Sequence, residues 1–323
     1  MYDMITIGDI KLDTFVVLDD ASVECELKMP ECQLCMPYGD KLDVDDIESQ
    51  TAGSAPNVST GLARMSFKTA VISNMGEDTT QRLAFETLKG EGVATEYINV
   101  VPDEESSFSV VLNFKGERTI ITSHIEHAYK LPDDLKDTKW MYVCEMGEGY
   151  ESLYEEVIEL KKQNGMKLGL NPGSIQLDEK KDILYDLIEV VDVLFVNKEE
   201  AQDLTEQSSL EIHHLAKGVS ELGPNHAVIT DGKAGAYSFQ KDELAYAPMF
   251  PGERVEATGA GDSFATGYIG ALLNGESHDT ALKWGSVNAA SVVQYVGPTP
   301  GLLSAKEIRK QLEESPDYQT EIK

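Results

Sequence analysis

Basic side chains are scarce in this 323-residue chain. Twenty-seven Lys and Arg stand against 57 Asp and Glu, a formal net charge of −30. Nucleic-acid backbones are held by basic stripes, so this balance argues against nucleic acid as a partner. Such a charge also favours solubility and opposes self-association at low salt. No apolar run approaches a membrane span. The opening Met1–Gly8 lacks the basic and apolar regions of an export signal, which leads us to expect a cytoplasmic protein with no membrane partner. Cysteine is also sparse. Cys25, Cys32, Cys35 and Cys144 hold one Cys-x-x-Cys, and no second ligand pair of similar spacing follows, so reduced thiols are expected rather than a zinc site.

Several catalytic signatures are missing. There is no Gly-x-x-x-x-Gly-Lys-Ser/Thr, no complete Gly-x-Gly-x-x-Gly, no Gly-x-Ser-x-Gly elbow and no His-x-x-x-His pair. Walker-type NTPases, dinucleotide binders of the usual kind, serine hydrolases of the elbow type and helix-borne zinc proteases are thereby set aside. The spacings of His124/His127 and His213/His214 are poor for a metal, and these four read as surface residues.

What the chain does have is alternation. Strand-like runs at 4–10, 69–75, 140–146, 167–170, 192–196 and 227–230 are separated by helix-period stretches at 57–65, 80–91, 152–163, 180–190, 209–222, 263–273 and 280–293. Ser208 with Glu211 and Ser304 with Glu307 have capping-box spacing. The pattern predicts an α/β fold, a doubly wound, mostly parallel sheet with helices on both faces. Segments 13–46 and 97–123 break it with short β-like runs and are expected to form a small β-sheet lid inserted in a single domain spanning 1–323. Apolar Val110 and Leu112 on such a sheet would want cover, which makes a homodimer through the lid one expectation. The polar end, 315–323, is expected to fray.

Ala257-Thr258-Gly259-Ala260-Gly261-Asp262-Ser263-Phe264 is the most informative stretch. A small-residue turn opening onto a helix points N–H groups and a positive dipole end at an anion. Asp262 beside it can take a proton from a hydroxyl; its bland alternative is an ordinary N-cap. Thr230-x-Gly232-Lys233-x-Gly235 follows an apolar run and suits phosphates, or is a hairpin turn. Asn197 and Glu200 can order water around Mg²⁺, or simply form a capping box. Asp13 can accept two hydrogen bonds from a diol, Asn57 at the end of Gly53-Ser54-Ala55-Pro56-Asn57 offers a donor and an acceptor, and Glu145 is a third polar group at a strand end; the alternative for each is a plain loop group. Lys115 and Arg118 are candidate lid contacts for a phosphorylated acceptor, or part of a hairpin turn.

In this order the motifs resemble the ribokinase-like (PfkB-type) carbohydrate and nucleoside kinases. The 257–264 stretch is similar to that family's C-terminal signature, and Gly53-x-x-x-Asn57 with Gly61-Leu62-Ala63-Arg64 to its N-terminal one. The resemblance runs from Met4 to about Leu303. It implies MgATP as donor, Asp262 as base, and the N–H groups of Gly259, Ala260 and Gly261 around the transferring phosphoryl group. It also implies Asp13, Gly53, Asn57 and Glu145 at the acceptor and Asn288 near the adenine. Three positions depart from the pattern. Ala52 stands for a glycine, and Ser54 stands where ribokinases tend to have lysine, which weakens ribose as acceptor. Glu256 replaces an aspartate that helps bind a monovalent cation, so a K⁺ requirement is in question. The expected acceptor is a sugar or sugar acid. A nucleoside or a sugar phosphate is the alternative, and a non-catalytic sugar or nucleotide sensor is the reading from another class.

Overall fold

The computed structural model describes residues 1–18, 21–24, 33–114, 117–207 and 211–323. The first half of the chain runs β1 (Tyr2–Ile7), β2 (Lys11–Leu18), β3 (Ser22–Glu24), β4 (Gln33–Cys35), β5 (Val44–Ala52), α1 (Ser54–Arg64), β6 (Thr69–Gly76), α2 (Thr79–Gly90), β7 (Ile98–Val101), β8 (Ser107–Phe114), β9 (Glu117–Ser123) and β10 (Thr138–Val143). It continues with α3 (Glu151–Asn164), β11 (Lys167–Leu170), α4 (Ser174–Glu179), α5 (Asp182–Val190), β12 (Val193–Asn197), α6 (Lys198–Thr205), α7 (Ile212–Glu221) and β13 (Ala227–Thr230). The last elements are β14 (Ala236–Gln240), β15 (Glu243–Ala247), α8 (Ala260–Leu273), α9 (His278–Val292), α10 (Ala305–Glu314) and β16 (Glu321–Ile322).

Ten strands form the main sheet in the order β16-β15-β14-β13-β12-β11-β10-β1-β6-β7. Every pairing from β7 to β13 is parallel, and the three pairings from β13 to β16 are antiparallel. The parallel strands are apolar on both faces because helices cover both. Val157, Leu184, Leu187, Leu215 and Val219 fill the layer on one side. Val58, Leu62, Leu88, Ile269, Leu282 and Trp284 fill the other. Among the described residues no helix is long and apolar enough to cross a membrane. The strand order reverses at β1, whose neighbours β6 and β10 lie on opposite sides. The crevice at the carboxyl ends of such strands is where ligands sit in open α/β sheets.

A second sheet, β5-β2-β8-β9, stands at that edge. Two short links tie it there: Gly8–Ile10 joins β1 to β2, and Gly53 joins β5 to α1. It differs from the expected lid at both boundaries. β5 carries it on to Ala52, and β7, expected in the lid, pairs with β6 in the main sheet. Leu112 is buried within the chain and Val110 half-buried, while Ile47, Ile120 and Ile121 of the same sheet stay exposed. Leu18, Leu112 and Phe114 make a small core against which Val16, Ala21, Leu34, Val44 and Val110 pack, so the β3–β4 hairpin lies over the lid.

Other expectations change in detail. The tail does not fray: β16 pairs with β15, and the Tyr318 hydroxyl donates to Pro248 O at 2.6 Å. An edge strand offers free backbone groups, and one anchoring aromatic suffices to hold a polar tail on it. The β14–β15 hairpin went unread because its turn is Lys241-Asp242, with φ of 51° and 64°, rather than Asn-Gly. The Ser304–Glu307 capping box forms. Cys25, Cys32, Lys115 and Ser208 lie outside the described residues; Cys35 and Cys144 are free thiols.

Candidate active site

Gly259 caps α8 with φ 76°, a left-handed conformation suited to glycine, and a Cβ there would lie 2.5 Å from Pro298 Cβ. Asp262 is therefore not the N-cap. It lies in the first turn of α8, and its carboxylate is directed elsewhere: Asn57 Nδ2 donates to Asp262 Oδ2 at 2.7 Å, and Ser54 also hydrogen-bonds to it. Burial pushes the Asp262 pKa up to about 6 against those two hydrogen bonds, with the nearby Glu145 carboxylate adding to the rise. A carboxylate poised there suits a general base at neutral pH. In the turn itself the Ala260 N–H is spent on Ala257 O at 3.2 Å. The N–H groups of Gly259, Gly261 and Asp262 have no hydrogen-bond partner among the described residues, and these are the donors the helix end leaves for an anion.

On one side of the turn opens a cavity of about 370 Å³. Thr230, Gly232, Lys233 and Gly235 line it together with Ala257, Ala260 and Gly261, and Met249, Phe250, Ala289, Ala290 and Val293 make an apolar wall beside Ser286. The Thr230–Gly235 segment joins antiparallel β13 and β14, as its hairpin reading expects, and four of its residues line this cavity. Arg254 lines it too and no motif pointed to it. Asn288 corrects an expectation. Its amide donates to Ser263 O at 2.7 Å and accepts from Leu303 N–H at 3.0 Å, so it ties α9 to α8 and to the segment before α10, while the next residue, Ala289, lines the cavity.

On the other side of the turn lies a polar cluster. Glu145, just after β10, pairs with Lys11 at 2.7 Å. Burial works to raise the Glu145 pKa, and the Lys11 ammonium overrides it to hold the group below its usual value. Asp13, on the same strand as Lys11, is buried with Oδ1 unpartnered, and burial raises its pKa. Asn57 Oδ1 and His124 Nδ1 are likewise buried without partners. Asp9 accepts from the Tyr129 hydroxyl at 2.7 Å and Gly147 N–H at 2.9 Å, and His124 Nδ1 stands 3.9 Å from it. Gly53 sits beneath, with φ 117° and no room for a Cβ against Asp9 O. Two of the histidines read as surface groups are not: His127 is buried against Glu104 at 2.9 Å, and His124 faces Asp9. Lys11, Asp9 and Tyr129 escaped the sequence reading. Only Lys11 left a signal, since it is two residues from Asp13 and period-2 alternation puts both on one strand face.

Asn197 and Glu200 form a reciprocal capping box with two bonds of 2.8 Å. Glu200 has a second role open to it. Burial pushes its pKa up to about 7, and Glu199, Asp203 and Glu145 add to the rise against the Asn197 N–H bond. A buried carboxylate among acids fits the water shell of a divalent cation, which would restore its ionised form. Among the described residues no group of three or more His, Cys, Asp and Glu forms a direct metal site. Lys198 and Asp231 pair at 2.9 Å between the Asn197 and Gly232 segments.

Known proteins show the same arrangement of sequence and fold. A family model described as pfkB family carbohydrate kinase matches residues 13–305. A ribokinase of Haemophilus influenzae is 25% identical over 293 residues, covering 87% of this chain and 94% of that protein. A nucleoside kinase of Methanothermobacter thermautotrophicus is 25% identical over 276 residues, covering 84% and 87%. In fold, the chain resembles an Arabidopsis thaliana ribokinase solved with ribose and ATP at a TM-score of 0.79 and 21% identity, over 97% of this chain and 99% of that one.

Proposed function

This chain belongs to the pfkB family of carbohydrate kinases and is an ATP-dependent kinase, and from that premise we propose that it moves the γ-phosphoryl of ATP to a hydroxyl of a sugar or sugar acid with Asp262 as general base. The observation that carries this reading is the position of one turn. Ala260 and Gly261 line the large cavity, and the next residue, Asp262, faces Asn57 and the polar cluster. A donor in the cavity and an acceptor in the cluster would meet across unspent N–H groups.

In this mechanism the apolar wall from Met249 to Val293 takes the adenine, and Thr230, Lys233 and Arg254 face the phosphates. Mg²⁺, once bound, would neutralise the phosphate charge, and Glu200 with Asn197 would hold its water. Asp13, Asn57 and the Lys11–Glu145 pair orient the acceptor hydroxyls, which supply the hydrogen bonds that Asp13 Oδ1 and Asn57 Oδ1 lack. Asp262 then accepts the proton of the attacking hydroxyl while the turn's N–H groups meet the charge on the migrating phosphoryl group. Each such donor is worth about 3 kcal/mol at the transition state. The lid excludes water from this step.

A nucleoside acceptor is the second reading, supported by the nucleoside kinase relative and by Ser54, which lacks the lysine expected of ribokinases. A sensor would have no use for a carboxylate poised near neutrality beside free N–H donors. A screen of pentoses, hexoses, sugar acids, hexose phosphates and nucleosides, read by ADP formation, tests the proposal. Silence across all of them would refute it.

A further inference from the structure

Glu256 comes just ahead of the anion turn, and its side chain is 7% exposed. Its Oε1 accepts from the Thr258 N–H at 2.7 Å and the Thr258 hydroxyl at 2.6 Å, and Oε2 faces Gly297 N–H at 3.5 Å. The carboxylate thus braces the backbone that leads into Gly259. A carboxylate so buried requires a compensating positive charge. The family resemblance implies a bound monovalent cation at this position, and the residues present do not fit one. Oε1 already has two donors, and Arg118 Nη1 stands 3.8 Å from it, so an added cation would meet the like charge of the guanidinium.

Arg118 comes from β9, the outer strand of the lid sheet. From the opposite outer strand, β5, Gln50 Nε2 donates to Val296 O at 3.3 Å, next to Gly297. Both margins of the lid therefore reach the ground around Glu256. We propose that Arg118 supplies the positive charge that Glu256 requires, so that turnover is independent of monovalent cations and the bracing of the anion turn depends on the lid being in place. This rests on the turn being the phosphoryl site. Arg118 is here a positioning residue, acting through Glu256 and Thr258.

The test compares acceptor-dependent turnover in KCl and in tetramethylammonium chloride at equal ionic strength, for the parent, Arg118→Met and Arg118→Lys, with MgADP affinity measured alongside. The parent and Arg118→Lys should turn over equally in both salts. The pair lies between an exposed and a fully buried one, so Arg118→Met should lose about tenfold in tetramethylammonium. K⁺ should restore much of that loss, because it can enter the space the guanidinium leaves, and MgADP should bind as before. A parent activated several-fold by K⁺ would overturn the inference. So would an Arg118→Met variant that is fully active in tetramethylammonium, or one that K⁺ fails to restore. A parent that binds MgADP but turns over no acceptor would refute the kinase reading itself and this inference with it.

Discussion

Asn57 on α1 donates a 2.7 Å hydrogen bond to Asp262 on α8, across 205 residues of sequence. The bond joins the two signature segments of the chain and favours the ionised form of the proposed base against the burial that opposes it.

Replacing that base is the most direct test. Asp262→Asn should fold with an unchanged melting temperature and bind MgADP as the parent does. Its kcat should fall by about 10²–10⁴, the range for loss of a positioned general base. Single-turnover assays with the best acceptor would measure it.

The base must be ionised to act, and its pKa is about 6. Turnover should therefore decline as pH falls through about 6, with the acid limb visible in kcat/KM. Asn57→Ala removes a bond to the charged form, worth about 1.5 kcal/mol, and should move that limb up by roughly one pH unit. A variant with altered KM but an unmoved limb would show that Asn57 does not act on Asp262.

Glu200→Gln keeps an acceptor for the Asn197 N–H and so preserves the cap. It removes the charge proposed to order Mg²⁺-bound water. The Mg²⁺ concentration needed for half-maximal rate should rise about 10–100-fold, as for other groups one shell out from a metal. The acceptor KM should stay near its parent value.

Away from the site, the His226 and His278 rings stack at 3.4 Å, and the His226 pKa is pushed down to about 3 by burial, with His278 adding to it. A folded-state pKa below the unfolded one means that the unfolded chain binds the proton first. The contribution is intact above about pH 6.5 and is lost as pH falls from there toward 3. At pH 5 the loss amounts to about 2 kcal/mol. His226→Gln should lower the melting temperature at pH 7 and shrink the further drop between pH 7 and pH 5. Thermal scans at the two pH values would read both.

Local patterns carried the sequence reading where the physics is local. Residues 167–170 and 227–230 are strands at the bounds expected, because their apolar runs are short and punctuated. The turn before Asp262 was legible because small residues there have few other uses. Pairings set by distant segments were not legible. Nothing in the order of residues says that Lys11 meets Glu145, that Arg118 meets Glu256, or that Asn288 turns inward to Ser263. β7 looked like lid because it precedes lid strands, and only its partner β6 decides the sheet. Arg254 and Phe250 sit in irregular backbone, where no periodicity marks which side chain faces a cavity.

Tyr318 packs edge-on against Phe250 with ring centroids 4.9 Å apart, and Phe250 belongs to the wall of the large cavity. The segment around Tyr318 is thus a buttress for the wall proposed to hold the nucleotide. Tyr318→Ala would leave Phe250 without that support, and the loss would be felt as looser retention of ATP while the polar cluster around Lys11 and Glu145 stays in place.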